Sequence, residues 1–370
     1  MLPPSRLPHE SEAHEHTGRR STGKNSTITP CEKCGMIIGR NHRPSRKEPS
    51  VHGRLHHVGP VIIDVVMEVD SVPVPGGGAF ASSAGTLPGG GFNVIAAAAR
   101  AGMEVVYGGA HGTGPNGDLV RAALRDEGVA VAHPPRPEDT GFCVVMVDSD
   151  AERTFVTRLG AEVDLPLADL RRLRPAAGDF VYTVGYSLLP GERADELATW
   201  LEGLVDGARL VLDPAPVAGM IPAQTLERVM PRVEVLSLGS DEAATLSDET
   251  DEEKAAALLV ERIAPGGVVV LRRGARGCLV AREETGVVPV PAFPVAAVDT
   301  NGAGDAHVGV FTAGLSRGAD PVEAANRANA AAALAVTRRG PSTSPHSEEL
   351  EAFLSKHGSG TRRTKDDSGR

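Results

Sequence analysis

The residues of this chain best suited to chemistry form the run DTNGAGD, from Asp299 to Asp305. The small residues Gly302, Ala303 and Gly304 let the backbone approach an anion closely, and a helix start there would offer unpaired N–H groups and a positive dipole end. Asp305 closes the run with a carboxylate, which a bound phosphate would repel. That combination favours phosphoryl transfer, in which the N–H groups hold the phosphoryl group and Asp305 takes a proton from the attacking hydroxyl.

The segments around this run must place it between a strand and a helix for that chemistry to work. Residues 291–298 are apolar and predict a strand, and residues 306–315 are small and apolar at helical spacing and predict a buried helix. The alternative is a Gly-rich helix start with a capping acid and no catalytic role. The flanking elements favour the catalytic interpretation.

The longer run DTNGAGDAHVG resembles the C-terminal signature of the ribokinase-like (PfkB) family of sugar and nucleoside kinases, and the resemblance covers about residues 57–352. It implies ATP-dependent phosphorylation of the hydroxymethyl group of a small sugar, as in ribokinases and fructokinases. The family's base corresponds to Asp305, and its anion hole corresponds to the backbone of Gly302, Ala303 and Gly304. A nucleoside kinase of the same family and a non-catalytic sugar sensor on the kinase fold remain alternatives.

Strand and helix patterns alternate along most of the chain, which predicts an α/β fold with a doubly wound, mostly parallel sheet and helices on both faces. Predicted strands cover residues 58–66, 105–108, 180–184, 210–212, 233–238 and 268–271. Predicted helices cover residues 94–101, 119–126, 195–205, 223–229 and 251–263. Residues 65–88 and the hairpin pattern at residues 140–159 interrupt this alternation, and the resemblance implies that they form a small β-lid over the sugar, often with a homodimer contact.

Composition excludes several classes of protein. The chain has 38 basic and 48 acidic side chains and a net charge of −10, which argues against a general nucleic-acid binder. No segment approaches the length of a membrane span. Four cysteines, two of them in predicted strands, do not make a disulfide framework, so a reduced cytoplasmic location is expected.

Both ends of the chain are polar. Residues 1–52 lack apolar periodicity and are predicted to be a disordered extension, residues 53–355 a kinase domain, and residues 356–370 a polar tail. The extension contains the pair Cys31 and Cys34, a CxxC without a second ligand pair at suitable spacing. A metal-dependent regulatory role for this segment is therefore a minor alternative.

Three segments are candidates for binding the acceptor. Asp64 ends the predicted first core strand, and a carboxylate there can accept two sugar hydroxyl hydrogens. The turn GGGFN, with Gly90, Gly91 and Asn93, resembles the family's first signature, although Asn93 could also serve only as a helix cap. Glu162 follows the second predicted lid strand and is either an acceptor contact or a solvated charge. No Lys follows the glycines, which weakens assignment to ribokinases in the strict sense.

The nucleotide end is predicted from turns that follow later strands. Glu242 matches the acid of the family's Asn-x-x-Glu element, which organises Mg²⁺ through water, but Gly239 stands where Asn is expected. An ordinary acidic helix start is the alternative. The remaining residues assigned to ATP are Arg272, Gly274, Gly277, Thr300 and Asn329. Arg272 would offset phosphate charge, and Asn329 lies on a helix of small residues that corresponds to the one beside the adenine.

The resemblance also implies a K⁺ site beside the anion hole, formed by two loops and mostly by backbone carbonyls. Its candidate residues are Asp299, Asn301, Arg338, Gly340 and Ser344. Together with ATP, Mg²⁺ and a sugar, K⁺ completes the set of ligands that the sequence predicts.

Overall fold

The computed structural model describes residues 53–150 and 152–357, which form two β-sheets with helices packed on the larger one. The strands are β1 (Leu55–His57), β2 (Val61–Val69), β3 (Ala81–Gly90), β4 (Val105–Tyr107), β5 (Ala130–Val131), β6 (Phe142–Val147), β7 (Arg153–Arg158), β8 (Phe180–Val184), β9 (Arg209–Asp213), β10 (Val233–Gly239), β11 (Val268–Arg272), β12 (Cys278–Arg282) and β13 (Gly286–Val290). The helices are α1 (Phe92–Arg100), α2 (Pro115–Asp126), α3 (Leu167–Leu170), α4 (Glu192–Glu202), α5 (Ala223–Val229), α6 (Ser240–Ser247), α7 (Glu252–Val260), α8 (Ala303–Ser316), α9 (Pro321–Ala335) and α10 (Ser347–His357).

The large sheet has nine strands within the described residues, in the order β13-β12-β11-β10-β9-β8-β1-β4-β5. The strands from β11 to β5 run parallel, and β12 and β13 add an antiparallel edge. Central strands such as β8 (FVYTV) and β11 (VVVLR) are apolar along almost their whole length because both of their faces are covered. The predicted doubly wound sheet is confirmed.

Helices cover both faces of this sheet and create two hydrophobic cores. One core includes side chains from α1, α2, α8 and α9, and the other includes side chains from α4, α5 and α7. Alanine and glycine let α1 and α8 pack closely, since a Cβ on Gly309 would lie 2.6 Å from the Cβ of Ala97. This contact holds the two helices whose N-termini carry the candidate active-site residues.

The small sheet has the strand order β3-β2-β6-β7 and corresponds to the predicted lid. The predicted strand over residues 58–66 was wrong in one respect, because the chain leaves the large sheet after His57 and enters the small one at Val61. Pro60 has no N–H to continue the pairing, and Gly59 packs its backbone against the His57 ring. Asp64 therefore lies within a lid strand and does not end a core strand.

The predicted strand over residues 291–298 was also wrong, because this segment has no regular secondary structure. The large sheet ends at β13, and Pro291 and Pro294 then remove two of the backbone donors that a strand would need. The segment is mostly exposed and leads directly into the Gly-rich turn before α8.

No helix among the described residues is long and apolar enough to cross a membrane. The predictions for residues 1–52, including the cysteine pair, and for the polar tail beyond His357 lie outside the described part of the chain.

Candidate active site

The candidate site lies where the carboxyl ends of the parallel strands meet the N-terminus of α8, with the lid sheet beside them. Its central contact joins residues 212 apart in sequence, since Asn93 Nδ2 donates a hydrogen bond to Asp305 Oδ2 at 2.9 Å. Asn93 lies in the first turn of α1 and Asp305 in the first turn of α8. Both residues were predicted from separate motifs, and the structure brings them together.

The turn before α8 has the geometry of an anion-binding helix start. Gly302 precedes the helix with φ 72° and ψ 3°, a left-handed conformation that favours glycine, and a Cβ at this position would collide with the carbonyl oxygen of Pro341. A Cβ on Gly304 would lie 3.3 Å from Arg272 Nε, so a guanidinium faces the first turn of the helix. Because helix-start N–H groups point outward, the turn and Arg272 can act on the same anion.

Asp305 is electrostatically tuned by its neighbours. Burial raises its pKa to about 6, the hydrogen bond from Asn93 lowers it, the charge of Asp213 raises it, and the charge of Arg272 lowers it. A carboxylate with that pKa is still ionised at neutral pH and accepts a proton more readily than an ordinary aspartate.

Asp64 lies in β2 opposite Leu87 of β3 and Cys143 of β6. Its side chain reaches the backbone of Gly89, where a Cβ would collide with the carboxylate. Burial, and then the charge of Asp305, raise the pKa of Asp64 to about 6. Two carboxylates, one from the lid and one from α8, thus face one region of the site.

A buried ion pair beside Gly304 was missed from the sequence. Asp213, at the end of β9, accepts a hydrogen bond from Arg272 Nη1 at 2.8 Å, and the same nitrogen lies 2.6 Å from Ser237 Oγ. Asp213 is buried, and it fixes the guanidinium that faces Gly304. An acid ending an apolar strand, RLVLD, was the available signal, and the same signal had singled out Asp64.

Tyr186 is a second residue that the sequence did not reveal. It follows β8 and is 51% exposed. Burial and then the charges of Cys143, Asp213, Asp305 and Glu242 raise the pKa of its phenol. Tyr186 is therefore an exposed aromatic residue whose phenol lies within electrostatic range of Asp305.

Glu242 lies in the first turn of α6, directly after β10. Its carboxylate folds back over Gly239, where a Cβ would collide with it. The glycine that departs from the family's Asn-x-x-Glu pattern therefore makes room for this side-chain position. Glu242 is partly exposed at the carboxyl end of the sheet, on the same side as Arg272.

Two other residues predicted to contact a ligand form hydrogen bonds with the protein backbone through their side chains. Glu162 is buried, and its carboxylate accepts hydrogen bonds from the N–H groups of Gly141 at 2.7 Å and Gly160 at 2.8 Å. Asn329 is also buried, and its amide donates to the carbonyl oxygens of Val290 and Pro291, each at 3.1 Å. Both side chains stabilise the backbone next to the site, and contact with a ligand remains a prediction for each.

Two of the predicted glycines, Gly91 and Gly277, form close contacts near the site. A Cβ on Gly91 would collide with the buried His57 ring, and one on Gly277 would collide with the carbonyl oxygen of Val290. Gly90 ends β3 and Gly274 begins the turn after β11. Thr300 is exposed in the turn before α8, and its carbonyl oxygen accepts from Ala303 N at 3.3 Å.

The two loops predicted to hold K⁺ do lie together. Asp299 accepts hydrogen bonds from the N–H groups of Asn301 and Gly340, each at 2.9 Å, and its carboxylate also pairs with the guanidinium of Arg153. Arg338 pairs with Glu349 and donates to the carbonyl oxygen of Thr343 at 3.2 Å. The Ser344 hydroxyl is buried and has no hydrogen-bond partner among the described residues, which fits a cation ligand. The Asp299 carboxylate is paired with the Arg153 guanidinium and is not free to bind a cation.

A doubly wound sheet with a small second sheet, and a Gly-rich helix start beside a carboxylate, are the features expected of a phosphoryl-transferring enzyme on the ribokinase-like fold. The comparison with known families agrees, because the profile of the pfkB family carbohydrate kinases matches residues 54–348. The chain belongs to this family and is a carbohydrate kinase.

Individual relatives support the assignment. The uncharacterized sugar kinase YegV of Escherichia coli strain K12 is 32% identical over 306 residues, which cover 79% of this chain and 91% of that protein. The ribokinase structure of Thermotoga maritima has 28% identity and a TM-score of 0.69, covering 82% of this chain and 99% of that one. The Arabidopsis thaliana ribokinase complexed with ribose and ATP has 23% identity and a TM-score of 0.68, covers 82% and 98%, and shows the fold alone.

Proposed function

We propose that this chain transfers the γ-phosphoryl group of ATP to a hydroxymethyl group of a small sugar, with Asp305 as the general base. The observation that carries the proposal is the Asn93–Asp305 hydrogen bond of 2.9 Å at the start of α8, next to a helix-start anion site. The similarity to the ribokinase of Thermotoga maritima, at 28% identity over nearly all of that chain, supports a sugar as the acceptor.

Asp305 removes the proton of the attacking hydroxyl as the oxygen approaches phosphorus. Its pKa of about 6 leaves it ionised at neutral pH and ready to accept that proton. Asn93 orients the carboxylate through Nδ2, while Asn93 Oδ1 is buried without a hydrogen-bond partner among the described residues. A buried acceptor without a partner is costly, so we assign Asn93 Oδ1 to a hydroxyl of the acceptor.

The phosphate side carries the positive groups of the site. The backbone of Gly302, Ala303 and Gly304 would hold the transferring phosphoryl group, and Arg272, fixed by Asp213, would offset its charge. No group of three or more His, Cys, Asp or Glu side chains could hold a metal within residues 53–150 and 152–357. Mg²⁺ would therefore rely on phosphates, water and Glu242, and when bound it would neutralise phosphate charge.

The acceptor side is formed by the lid and the carboxyl ends of the strands. Asp64 would accept hydrogen bonds from sugar hydroxyls. The lid would exclude water, which would otherwise compete with the acceptor hydroxyl for the phosphoryl group. Tyr186 adds an exposed aromatic surface after β8, within electrostatic range of Asp305 and suited to the apolar face of a sugar ring. Sugars therefore rank above nucleosides, although Tyr186 could stack on a base as well.

Two further assignments remain proposals. A homodimer through the lid is supported by the two outer strands β3 and β7, which are almost fully exposed. A cytoplasmic location is supported by the two described cysteines, Cys143 and Cys278, which are both free. No step of the mechanism is assigned to K⁺: its predicted ligands are mostly backbone carbonyls, and the Asp299 carboxylate is already paired with Arg153.

The test is acceptor-dependent ADP release with Mg·ATP against a panel of sugars and nucleosides, compared with Asp64→Asn. Turnover with one sugar and a raised KM for that sugar in the variant would support the proposal. Binding of a sugar without phosphorylated product would favour the non-catalytic sensor. Turnover with a nucleoside alone would replace the proposed acceptor class.

A further inference from the structure

Arg153 lies on β7, an outer strand of the lid, and its guanidinium pairs with Asp299, which begins the turn leading into α8. The two residues are 146 positions apart in sequence, and their side chains are largely buried, at 24% and 18% exposed. We propose that Arg153 is a positioning residue that couples the lid to the anion-binding turn. The proposal rests on the function proposed above and extends it to a residue with no assigned role.

Arg153 contacts the turn indirectly, through the carboxylate of Asp299. One carboxylate oxygen, Oδ1, accepts from Arg153 and from Asn301 N, so the same atom contacts the lid and the backbone just before Gly302. The other oxygen accepts from Gly340 N at 2.9 Å. The loop that contains Gly340 also packs against Gly302, through the carbonyl oxygen of Pro341. The lid, the turn and this loop therefore share one carboxylate.

A second ion pair joins the lid to the same region. Glu68, on β2, pairs with Arg339, the neighbour of Gly340. These side chains are 39% and 73% exposed, so water screens this pair more than it screens the pair of Arg153 and Asp299. Two lid strands thus reach the segment that supports the anion-binding turn, and Arg153 makes the better-shielded contact.

The coupling has a kinetic consequence. Arg153 fixes Asp299, and Asp299 fixes the backbone that must hold the phosphoryl group in line with the attacking oxygen. Loss of this fixation misplaces the phosphoryl group relative to Asp305, and a misplacement of about 1 Å can cost on the order of 100-fold in rate. Ground-state binding of the acceptor depends on other residues, so its KM should change little.

The test compares Arg153→Gln with Arg153→Lys and Arg158→Gln. Arg158 lies on the same strand and pairs with Glu138 at 3.1 Å, at 57% and 59% exposed, so it is the matched control. We expect Arg153→Gln to lower kcat by roughly 10- to 100-fold with the acceptor KM within about threefold, Arg153→Lys to recover part of the loss, and Arg158→Gln to resemble the wild type. An unchanged kcat, or an effect on KM alone, would overturn the proposal.

Amide hydrogen exchange provides a measurement that needs no substrate. Peptides covering residues 299–304 should exchange faster in Arg153→Gln than in the wild type or in Arg158→Gln, because the turn loses its contact with the lid. Equal exchange in all three proteins would overturn the coupling. This result would stand even if no acceptor were found, so failure of the coupling and failure of the proposed function are distinguishable.

Discussion

At the scale of single residues, we expect the environment of Asp305, the proposed base, to set the lower pH limit of activity. The base must be deprotonated, and its pKa is about 6, so kcat/KM should fall as the pH drops through about 6 and level off above about 7. Asn93 donates a hydrogen bond that lowers this pKa, so Asn93→Ala should move the acidic limb to higher pH. The pH profile of kcat/KM between about pH 5 and 9 measures both effects.

Asp64, the proposed acceptor ligand, also has a pKa of about 6, so we expect the acidic limb to be steeper than a single ionisation would give. Asn116→Ala is the control for Asn93→Ala, because Asn116 uses its amide to bond the carbonyl oxygen of Thr140 at 3.0 Å and belongs to α2. An acidic limb that stays in place in Asn93→Ala would show that Asn93 does not tune the base.

At the scale of secondary-structure elements, the start of α1 depends on close packing at Gly91. A Cβ there would collide with the buried ring of His57 and lie 2.8 Å from the carbonyl oxygen of Pro60. Gly91→Ala should therefore lower the free energy of unfolding by about 1–3 kcal/mol, as overpacking in a core does. Urea denaturation monitored at Trp200 measures the change.

Gly85→Ala is the matched control for this substitution. Gly85 lies on exposed strand β3, and a Cβ there would have no heavy atom within 4 Å, so the free energy of unfolding should change by less than about 0.5 kcal/mol. Equal losses in the two variants would show that the His57 contact is not what makes Gly91 important.

Some strands and helices could be predicted from the sequence, and others could not. Local patterns located strands such as β8 and β11 and helices such as α5, because each carries its own apolar periodicity or run. Local patterns gave the wrong element at residues 58–60, where one apolar run is divided between strands of two sheets. They were also wrong at residues 291–298, where two prolines prevent a strand although the segment is apolar.

Contacts between distant residues could not be predicted in this way. The family resemblance named Asn93 and Asp305 separately, but only the crossing of α1 and α8 shows that they are bonded. Arg153 occupies an alternating strand pattern that predicts nothing about its partner, Asp299, on another element. Asp213 carried a usable signal, since it ends an apolar strand as Asp64 was expected to do.

At the scale of the whole molecule, buried histidines make folding depend on pH. Burial lowers the pKa of five of them, namely His56, His57, His111, His133 and His307. His57 and His307 reach about 3, against an ordinary 6.5. Below about pH 6.5 the unfolded chain takes up protons that the folded chain excludes, so these groups make the fold less stable as the pH falls.

Asp64 and Asp305 act in the opposite direction. Their folded pKa of about 6 exceeds the ordinary 3.8, so between those values the folded state takes up protons first and gains stability as the pH falls. His57 and His307, whose pKa falls to about 3, exclude protons over the whole range from pH 6.5 to pH 5, whereas Asp64 and Asp305 take them up only near and below pH 6. The free energy of unfolding should therefore be lower at about pH 5 than at pH 7.5, by about 1.4 kcal/mol per pH unit for each net proton. Urea unfolding at both values measures this; a stability that rises toward pH 5 would contradict it.

Phosphoryl transfer to a sugar by the whole molecule depends on Asp305 as the proposed base, and one comparison tests this role most directly. The measurement is the formation of phosphorylated sugar from Mg·ATP and the preferred acceptor by the wild type and by Asp305→Asn, detected by mass spectrometry. We expect product from the wild type and a rate on the order of 10²–10⁴-fold lower in the variant, with binding of ATP and sugar retained. Equal rates of product formation in the two proteins would contradict the assignment of Asp305 as the base.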